Sequence, residues 1–222
     1  VDMKHFTPSY MPWDERLCAV PDADLFKALR SGKASVVTDH IDTFTEAGIR
    51  LKSGEHLDAD IIVTATGLQI QVLGGTELRV DGETRAVSDL MTYKGVLMQN
   101  VPNMAWIFGY TNAPWTLKAD IASRYVCRLL NHMDEIGAGS CTPTLREQDK
   151  AMGSYGWVDE DDFNAGYMQR GKHLMPRRGD HAPWTFTTDY YIEKDLLPAL
   201  SLDDDALVYE PAIEKLAEAQ QA

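Results

Sequence analysis

The chain has 222 residues, of which 44% are hydrophobic, and it carries a formal net charge of −13 at pH 7. This length and apolar content are enough to bury a sizeable core, in one large domain or two small ones. Because nucleic acids and anionic lipid surfaces are negatively charged themselves, the acidic balance argues against both as partners.

The cysteine content and the hydropathy pattern narrow the class of protein further. Cys18, Cys127 and Cys141 are too few and too scattered for a disulfide framework or a zinc site. The sequence has neither an apolar run of transmembrane length nor a signal-peptide pattern at its start. We therefore expect a cytoplasmic protein without a transmembrane segment. The acidic clusters at 159–162 and 203–205 are interpreted as solvated loops.

The first part of the chain combines an irregular connector with short elements. Three prolines among the first 21 residues predict an irregular path, because proline fixes φ and removes a backbone donor. Asp22 or Asp24 is expected to cap a short helix that ends near Arg30. The chain begins at Val1 without an initiator methionine or a preceding strand, so we expect the C-terminal part of a longer protein. Segments with β propensity follow at 34–38, 41–45 and 48–52.

Residues 60–67, Asp-Ile-Ile-Val-Thr-Ala-Thr-Gly, are the most informative run in the sequence. Isoleucine and valine stiffen an extended backbone and fill a sheet that is covered on both faces. Gly67 permits a backbone angle, or a close approach, that a side chain would block. The run predicts a buried strand that ends in a tight turn, either with a ligand against the turn or without one.

The next elements are predicted from turn signals and from helical periodicity. An Asp81-Gly82 turn separates extended segments at 78–80 and 87–97, and 101–109 is predicted as a second buried strand. Apolar residues then recur every fourth position from Leu117 to Met133, which predicts a long amphipathic helix that ends near Ile136. Further helices are predicted at 189–197 and 212–220. The order of elements indicates an α/β fold.

The loop between the second predicted strand and the long helix is a candidate binding platform. The free N–H groups and the positive dipole end of a helix favour an electron-rich or anionic group. Pro114 suits the first helical position, and Asn112 or Thr111 offers a capping oxygen. A strand-to-helix connection that binds nothing explains the same residues equally well.

Arg16 is the second candidate for chemistry. Its guanidinium is a permanent cation with a fork of donors, suited to phosphate or to a developing oxyanion. A surface ion pair with Asp14 or Glu15 is the alternative, and the residues alone leave both open.

Other chemistries find no support in the sequence. The six histidines show no His-x-x-x-His pairing and there is no Cys-x-x-Cys, so no metal site is predicted. A Gly-x-Ser-x-Gly elbow for serine hydrolysis is absent, and so is the Gly-x-Gly-x-x-Gly fingerprint of a dinucleotide site.

Motifs between residues 4 and 133 occur in the order known from one enzyme family. The series resembles the C-terminal half of class B flavin-dependent monooxygenases, of the Baeyer–Villiger type that includes the ethionamide-activating monooxygenase. Beyond Cys141 the resemblance is limited to Pro183-Trp184 and the helix after it. The motifs are His-Phe-Thr-Pro at 5–8, Pro-Trp-Asp-x-Arg-Leu-Cys at 12–18, the run ending Ala-Thr-Gly-Leu at 60–68, Tyr-Lys-Gly at 93–95, Pro-Asn-Met at 102–104 and Gly-Tyr-Thr-Asn-Ala-x-Trp-Thr-Leu-Lys-Ala-Asp at 109–120.

The resemblance implies part of a two-dinucleotide-binding flavoprotein fold, in which one domain binds FAD and a second binds NADPH. Residues 1–67 would form the C-terminal part of the NADPH-binding domain together with a hinge. Residues 68–140 would form the C-terminal part of the FAD-binding domain, and 141–222 a C-terminal extension packed on the core.

The resemblance also implies roles for individual residues. Arg16 matches the family's active-site arginine, which is expected to stabilise the flavin peroxide anion and to help hold NADPH. The long helix would point its N-terminus at the flavin ring, and residues 65–67 would form the hinge. Trp115, Trp157, Tyr167 and Trp184 are candidates to line an apolar pocket, with core packing as the alternative. The implied cofactor-binding residues are Ala65, Thr66, Gly67, Gly109, Asn112, Pro114, Trp115, Thr116 and Leu117.

The implied reaction inserts one oxygen atom from O2 into a ketone through a flavin C4a-peroxide, after hydride transfer from NADPH to FAD. Oxygenation of sulfur or nitrogen by the same species is an alternative. Both dinucleotide fingerprints and the family's Phe-x-Gly-x-x-x-His motif are absent from this sequence. We therefore expect the chain to need the N-terminal half of the same protein, and to be inactive and poor at binding FAD alone. A non-catalytic remnant that acts as an interaction module is the remaining hypothesis.

Overall fold

The structure, a computed structural model, is a mixed α/β arrangement in which every pairing between named strands is antiparallel. It describes residues 2–11, 14–15, 20–111, 113–158 and 165–212. The chain divides into two compact units, 1–68 and 69–222. Which cofactor domain each unit belongs to stays a prediction. In the described part of the chain, no helix is both long and apolar enough to cross a membrane.

The first unit contains one short helix and one three-stranded sheet. Helix α1 spans Asp24–Arg30, and the strands are β1 (Ile41–Thr45), β2 (Gly48–Leu51) and β3 (His56–Asp58) in the order β1-β2-β3. These bounds confirm the predicted helix and two of the predicted strands. Gly48 is required in β2, because a Cβ there would lie 1.9 Å from the carbonyl oxygen of Leu57.

Three predictions for the first unit are wrong. Segment 34–38 has no regular structure. The N-cap of α1 is Ala23, in the left-handed region and without a side-chain cap, so neither predicted aspartate caps the helix. Residues 60–66 are not a buried strand, since Ile61 and Val63 are 82% and 81% exposed. An apolar strand is buried only where other strands and helices cover it, and none in the described part of this unit pairs with these residues.

The described residues of the second unit form short antiparallel strand pairs and three α-helices. The predicted turn at Asp81-Gly82 joins β4 (Leu78–Val80) to β5 (Glu83–Arg85), a strand that was not predicted. The predicted extended segment at 87–97 is instead a short 3-10 helix followed by a hairpin. Residues 101–109 form no strand, and only one antiparallel bridge, between Ala105 and Leu97, lies there. The other pairs are β6 (Thr92–Tyr93) with β7 (Leu97–Met98), β8 (Ala138–Pro143) with β11 (Leu207–Pro211), and β9 (Tyr155–Gly156) with β10 (Arg177–Arg178).

Helix α2, Trp115–Ile136, is the longest element and confirms the periodicity of the sequence. Its 22 residues correspond to about 33 Å, and Gly137 ends it in the left-handed conformation, with φ of 69°. Helix α3 spans Gly166–Gly171, and α4 spans Tyr190–Ala199. Asp189 caps α4 by accepting hydrogen bonds from two backbone N–H groups, which agrees with the predicted start. The predicted helix at 212–220 falls almost entirely outside the described residues.

The main core of the second unit lies against the buried face of α2. Strands β8 and β11 pair beside it, so residues beyond 140 share one core with the preceding segment. Trp184 is completely buried in this core and meets Tyr93 edge to face, with ring centroids 5.8 Å apart. The predicted extension is therefore an integral part of the compact unit. The buried residues of α2 are Lys118, Ile121, Ala122, Tyr125, Leu129 and Met133.

Two carboxylates, one buried and one half-buried, connect segments of this core. Asp149 accepts hydrogen bonds from Arg146 Nε at 2.7 Å and Nη2 at 2.9 Å, and from Trp184 Nε1 at 2.9 Å. Asp204 accepts from the Tyr93 hydroxyl at 2.9 Å, although the sequence predicted a solvated acidic loop at 203–205. Asp204 is drawn inward because the buried tyrosine needs an acceptor.

Candidate functional site

A cavity of about 250 Å³ lies beside the loop that leads into α2, and we call it the first cavity. Residues before the helix form one wall, the first turn of the helix contributes Lys118, and segments around 157 and 186 close the other side. Its lining residues are Phe108, Gly109, Tyr110, Thr111, Lys118, Trp157, Val158, Arg178, Phe186, Thr187 and Thr188.

Gly109 is needed where the loop meets the helix. The Trp115 ring packs over this glycine, and a Cβ there would lie only 2.3 Å from the ring. The same ring contacts Phe108, with centroids 4.7 Å apart. A side chain at 109 would therefore displace the first residue of α2.

Aromatic side chains form the apolar walls of the first cavity. Trp157 lies 4.4 Å from Phe186 and 5.7 Å from Phe108, measured between ring centroids. Arg178 adds a cation to the lining, with its guanidinium 6.0 Å from the Phe186 ring and its Nε donating to the Gly156 carbonyl at 3.3 Å. Such walls favour a planar, electron-rich guest.

A buried ion pair, between Lys118 and Glu193, adjoins the first cavity. Lys118 Nζ is in direct contact with Glu193 Oε1, and the Tyr110 hydroxyl donates to Glu193 Oε2 at 2.5 Å. Burial lowers the pKa of Lys118, and its neighbour Glu193 works in the opposite direction. Burial, and next the hydrogen bond to Glu193, raise the pKa of Tyr110.

The N-terminus of α2 differs in detail from the prediction. Pro114 is the N-cap residue, one position before the helix, and not its first residue. No side-chain oxygen in the described part of the chain caps this end, so Thr111 does not act as a cap. The positive end of the helix dipole is therefore not offset by a capping or acidic side chain in the first turn.

A second cavity, of about 350 Å³, lies along α4. Its lining is mainly apolar, with Ile192, Leu196 and Leu200 on one side. Phe186 and Thr187 line both cavities, whereas Lys118 lines only the first and Glu193 only the second. The Lys118–Glu193 pair therefore links the walls of the two cavities.

The structure brings together some of the predicted site residues. Gly109 and Thr111 line the first cavity, while Pro114, Trp115 and Thr116 are exposed at the start of α2 and Leu117 is half-buried. Ala65, Thr66 and Gly67 lie exposed in the first unit, and Gly67 has φ of 107°. Arg16 and Asn112 lie outside the described residues.

The four tryptophan and tyrosine candidates occupy different environments. Trp157 lines the first cavity, and Trp115 packs beside it on Phe108. Trp184 is a core residue held by Asp149, and Tyr167 packs in a small separate cluster with Met168.

Sequence reasoning assigned no role to Lys118 or Glu193, the most distinctive residues of the cavity region. A signal was present for both. Lys118 falls on the apolar stripe of α2 with Ala122 and Tyr125, and Glu193 lies four residues before the buried Leu197. A charged residue on a buried helical face requires a partner inside the protein.

The first cavity suits one end of a flavin cofactor. Small-molecule pockets usually measure about 300–1,000 Å³, so the cavity is too small for a complete dinucleotide. Its aromatic walls, its cations and the adjacent helix N-terminus match a planar ring that gains electrons. The residues present therefore fit the ring portion of FAD.

Comparison with known proteins identifies close relatives. The chain is 52% identical over 214 residues to the probable FAD-binding monooxygenase AlmA of Acinetobacter baylyi. The aligned residues make up 95% of this chain and 41% of the relative. It is 54% identical over 219 residues to the putative FAD-containing monooxygenase MymA of Mycobacterium tuberculosis, an alignment that covers 99% of this chain and 43% of the relative. It is 47% identical over 204 residues to the FAD-containing monooxygenase EthA of Mycolicibacterium smegmatis, an alignment that covers 92% of this chain and 40% of the relative.

These relatives confirm the resemblance to flavin-dependent monooxygenases that the motifs indicate. The chain spans less than half the length of the curated relatives it matches. No family model matches the sequence.

Proposed function

We propose that this chain, homologous to FAD-containing monooxygenases over at least 92% of its length in the relatives named above, forms part of a Baeyer–Villiger monooxygenase. The enzyme would use FAD and NADPH to insert one oxygen atom from O2 into a ketone. When bound, FAD supplies the redox chemistry that accepts a hydride and activates O2.

The observation that carries this proposal is the position of the first cavity. It lies against Gly109, Tyr110 and Thr111, inside the motif at 109–120 on which the resemblance depends. In a chain that is 54% identical to a protein named as FAD-containing, an aromatic cavity at this motif is the natural place for the flavin ring.

The residues of the first cavity would bind and orient the flavin ring and shield it from water. The aromatic rings of Phe108, Trp157 and Phe186 would exclude water, because activated oxygen is otherwise lost as hydrogen peroxide before it reaches the organic substrate. The start of α2, from Pro114 to Leu117, would direct the positive end of the helix toward the ring. Thr111 would contribute polar atoms at the cavity edge.

Four further parts of the proposal depend on the sequence and its resemblance. Arg16 is proposed as the active-site cation, with Asn112 as a further cofactor contact. Residues 65–67 are proposed as the hinge beside the cofactors. The partner would be polypeptide that corresponds to the N-terminal half of the relatives, and the proposed location is the cytoplasm.

Product analysis of the full-length protein tests the reaction class. With FAD and NADPH, a linear ketone should be converted to its ester and NADPH should be consumed in proportion. A matched sulfide and a tertiary amine serve as comparison substrates. Ester formation supports the proposal, whereas sulfoxide or N-oxide without any ester favours the heteroatom-oxygenating alternative.

A substitution tests the role of Arg16. In the full-length protein, Arg16→Ala should leave flavin binding intact and lower product formation by at least about 100-fold, the scale of a lost charge-stabilising group. Arg30→Ala, at an exposed arginine of α1, is the matched control. Normal ester formation by the Arg16 variant would show that the proposed role is wrong.

Flavin titration separates the enzyme hypothesis from a non-catalytic interaction module. The 222-residue chain alone should be colourless after purification, and the full-length protein should be yellow. Stoichiometric flavin on the chain alone would contradict the need for the partner polypeptide, and a colourless full-length protein would contradict the enzyme proposal.

A further inference from the structure

The buried ion pair between α2 and α4 requires an explanation beyond packing. The side chains of Lys118 and Glu193 are each 3% exposed, and their charged atoms are in direct contact. Glu193 accepts a second hydrogen bond, from the Tyr110 hydroxyl, so both of its carboxylate oxygens are satisfied. These three residues form what we call the buried triad.

Stability alone does not account for the buried triad. Removing two charges from water costs several kcal/mol per ion, and well-packed apolar residues often hold two helices together at least as firmly. The rest of the interface between α2 and α4 already includes apolar contacts, such as Tyr125 and Leu197 in the main core. A buried charge that lines a cavity is a candidate functional group.

The geometry gives the two charges different surroundings. Lys118 lines the first cavity together with Gly109, Tyr110 and Thr111, whereas Glu193 lines only the second cavity. Of the two charged residues, the cationic one therefore borders the proposed flavin cavity and its counter-ion borders the other cavity. The field in the first cavity is that of an ion pair whose positive member lines the wall, added to the positive end of α2.

We propose that Lys118 places a positive charge at the wall of the first cavity for a ring that becomes negatively charged on reduction, and that Glu193 and Tyr110 position it. This inference rests on the proposed function. The hydride that leaves NADPH carries two electrons and one proton, so NADP⁺ is released and the ring gains one negative charge. A fixed cation stabilises that charge more than it stabilises the oxidised ring.

The test compares two buried lysines in the full-length flavoprotein. Lys118→Met removes the cation that lines the first cavity. Lys94→Met is the matched control, because Lys94 is also buried, at 7% exposure, pairs with Asp204 at 3.5 Å and lines only the second cavity. The readouts are the two-electron reduction potential of the bound flavin and the dissociation constant of sulfite, which forms a negatively charged flavin adduct.

Lys118→Met should weaken sulfite binding about tenfold and lower the two-electron potential by the equivalent of about 30 mV. Lys118→Arg, which keeps the positive charge, should retain most of the sulfite affinity and most of the two-electron potential of the wild type. Lys94→Met should change the stability of the protein without changing either readout. A structural role alone would move the unfolding midpoint of both Met variants and leave the flavin properties unchanged.

A double variant keeps the test decisive if Lys118→Met fails to fold. Lys118→Met with Glu193→Met leaves no unpaired buried charge, and it should lower the potential and weaken sulfite binding in the same direction. Wild-type values in the folded single or double variant would overturn the role of Lys118 while leaving the monooxygenase proposal intact. Full-length wild-type protein that binds no flavin would overturn both.

Discussion

The two compact units bury the same kinds of residue to very different extents. In the second unit, Val96 and Met98 are completely buried, and Ile121 is 4% exposed. In the first unit, Ile61 and Val63 are more than 80% exposed, although they belong to an apolar run that predicts a buried strand. Hydrophobicity therefore did not decide burial here. Burial depended on whether the described part of each unit supplies packing partners.

The largest loss of stability in this comparison is expected at Asp149, one of the buried carboxylates of the second unit. Asp149 has no exposed side-chain surface and is the common acceptor for Arg146, Trp184 and His181. Asp149→Asn should lower the free energy of unfolding by about 3–5 kcal/mol, because it removes a fully buried carboxylate and leaves the partly buried Arg146 guanidinium with only the more distant Asp204, at 3.9 Å. Urea unfolding of the chain measures this loss.

The control for Asp149 lies in the same turn. Glu147 is 88% exposed and pairs with Lys150 across the surface. Glu147→Gln should change stability by less than about 0.5 kcal/mol. Equal effects of the two substitutions would contradict the proposed role of the buried carboxylate.

Adjacent leucines on α2 test burial within one helix. Leu129 is 5% exposed in the main core, and the next residue, Leu130, is 54% exposed to solvent. Leu129→Ala should lower the free energy of unfolding by about 2–5 kcal/mol, through lost burial and the cavity left behind. Leu130→Ala should stay within about 0.5 kcal/mol. A similar cost at both positions would show that the described face of α2 is incorrect.

A pH-dependent contribution to stability is expected from His181. Hydrogen bonds to Asp149, at 3.1 Å, and to Asp180, at 2.6 Å, raise its pKa above 6.5. The charged imidazole therefore stabilises the folded unit fully below the unfolded pKa, and this contribution is lost as the pH rises through the raised folded value. Thermal unfolding of wild type and His181→Gln should differ most at about pH 5.5 and converge toward about pH 9. A difference that grows with pH would contradict this linkage.

The smallest effect is expected at the apolar run of the first unit. In this chain Ile61→Ser should change stability by less than about 0.5 kcal/mol, because the side chain is already in water. Ile121→Ser, at a buried isoleucine of α2, should cost several kcal/mol. The same Ile61 variant in the full-length protein sharpens the comparison. A large cost there would show that the run forms the predicted buried strand once further polypeptide covers it.

Sequence reasoning succeeded where the signal was local. The four-residue spacing of apolar side chains predicted α2, and Asp81-Gly82 predicted the turn that follows β4. Asp189 marked the start of α4. Each of these features depends on neighbours within a few residues along the chain, and such interactions are present whatever the rest of the molecule does.

Long-range contacts were beyond the reach of spacing and composition. Lys118 and Glu193 are 75 residues apart in sequence, and the residues around each of them do not predict that the two form an ion pair. Phe108, Trp157 and Phe186 meet around one cavity for the same reason. Patterns of a few residues specify helices and turns through local geometry, whereas burial and charge pairing depend on which distant segments come together in space.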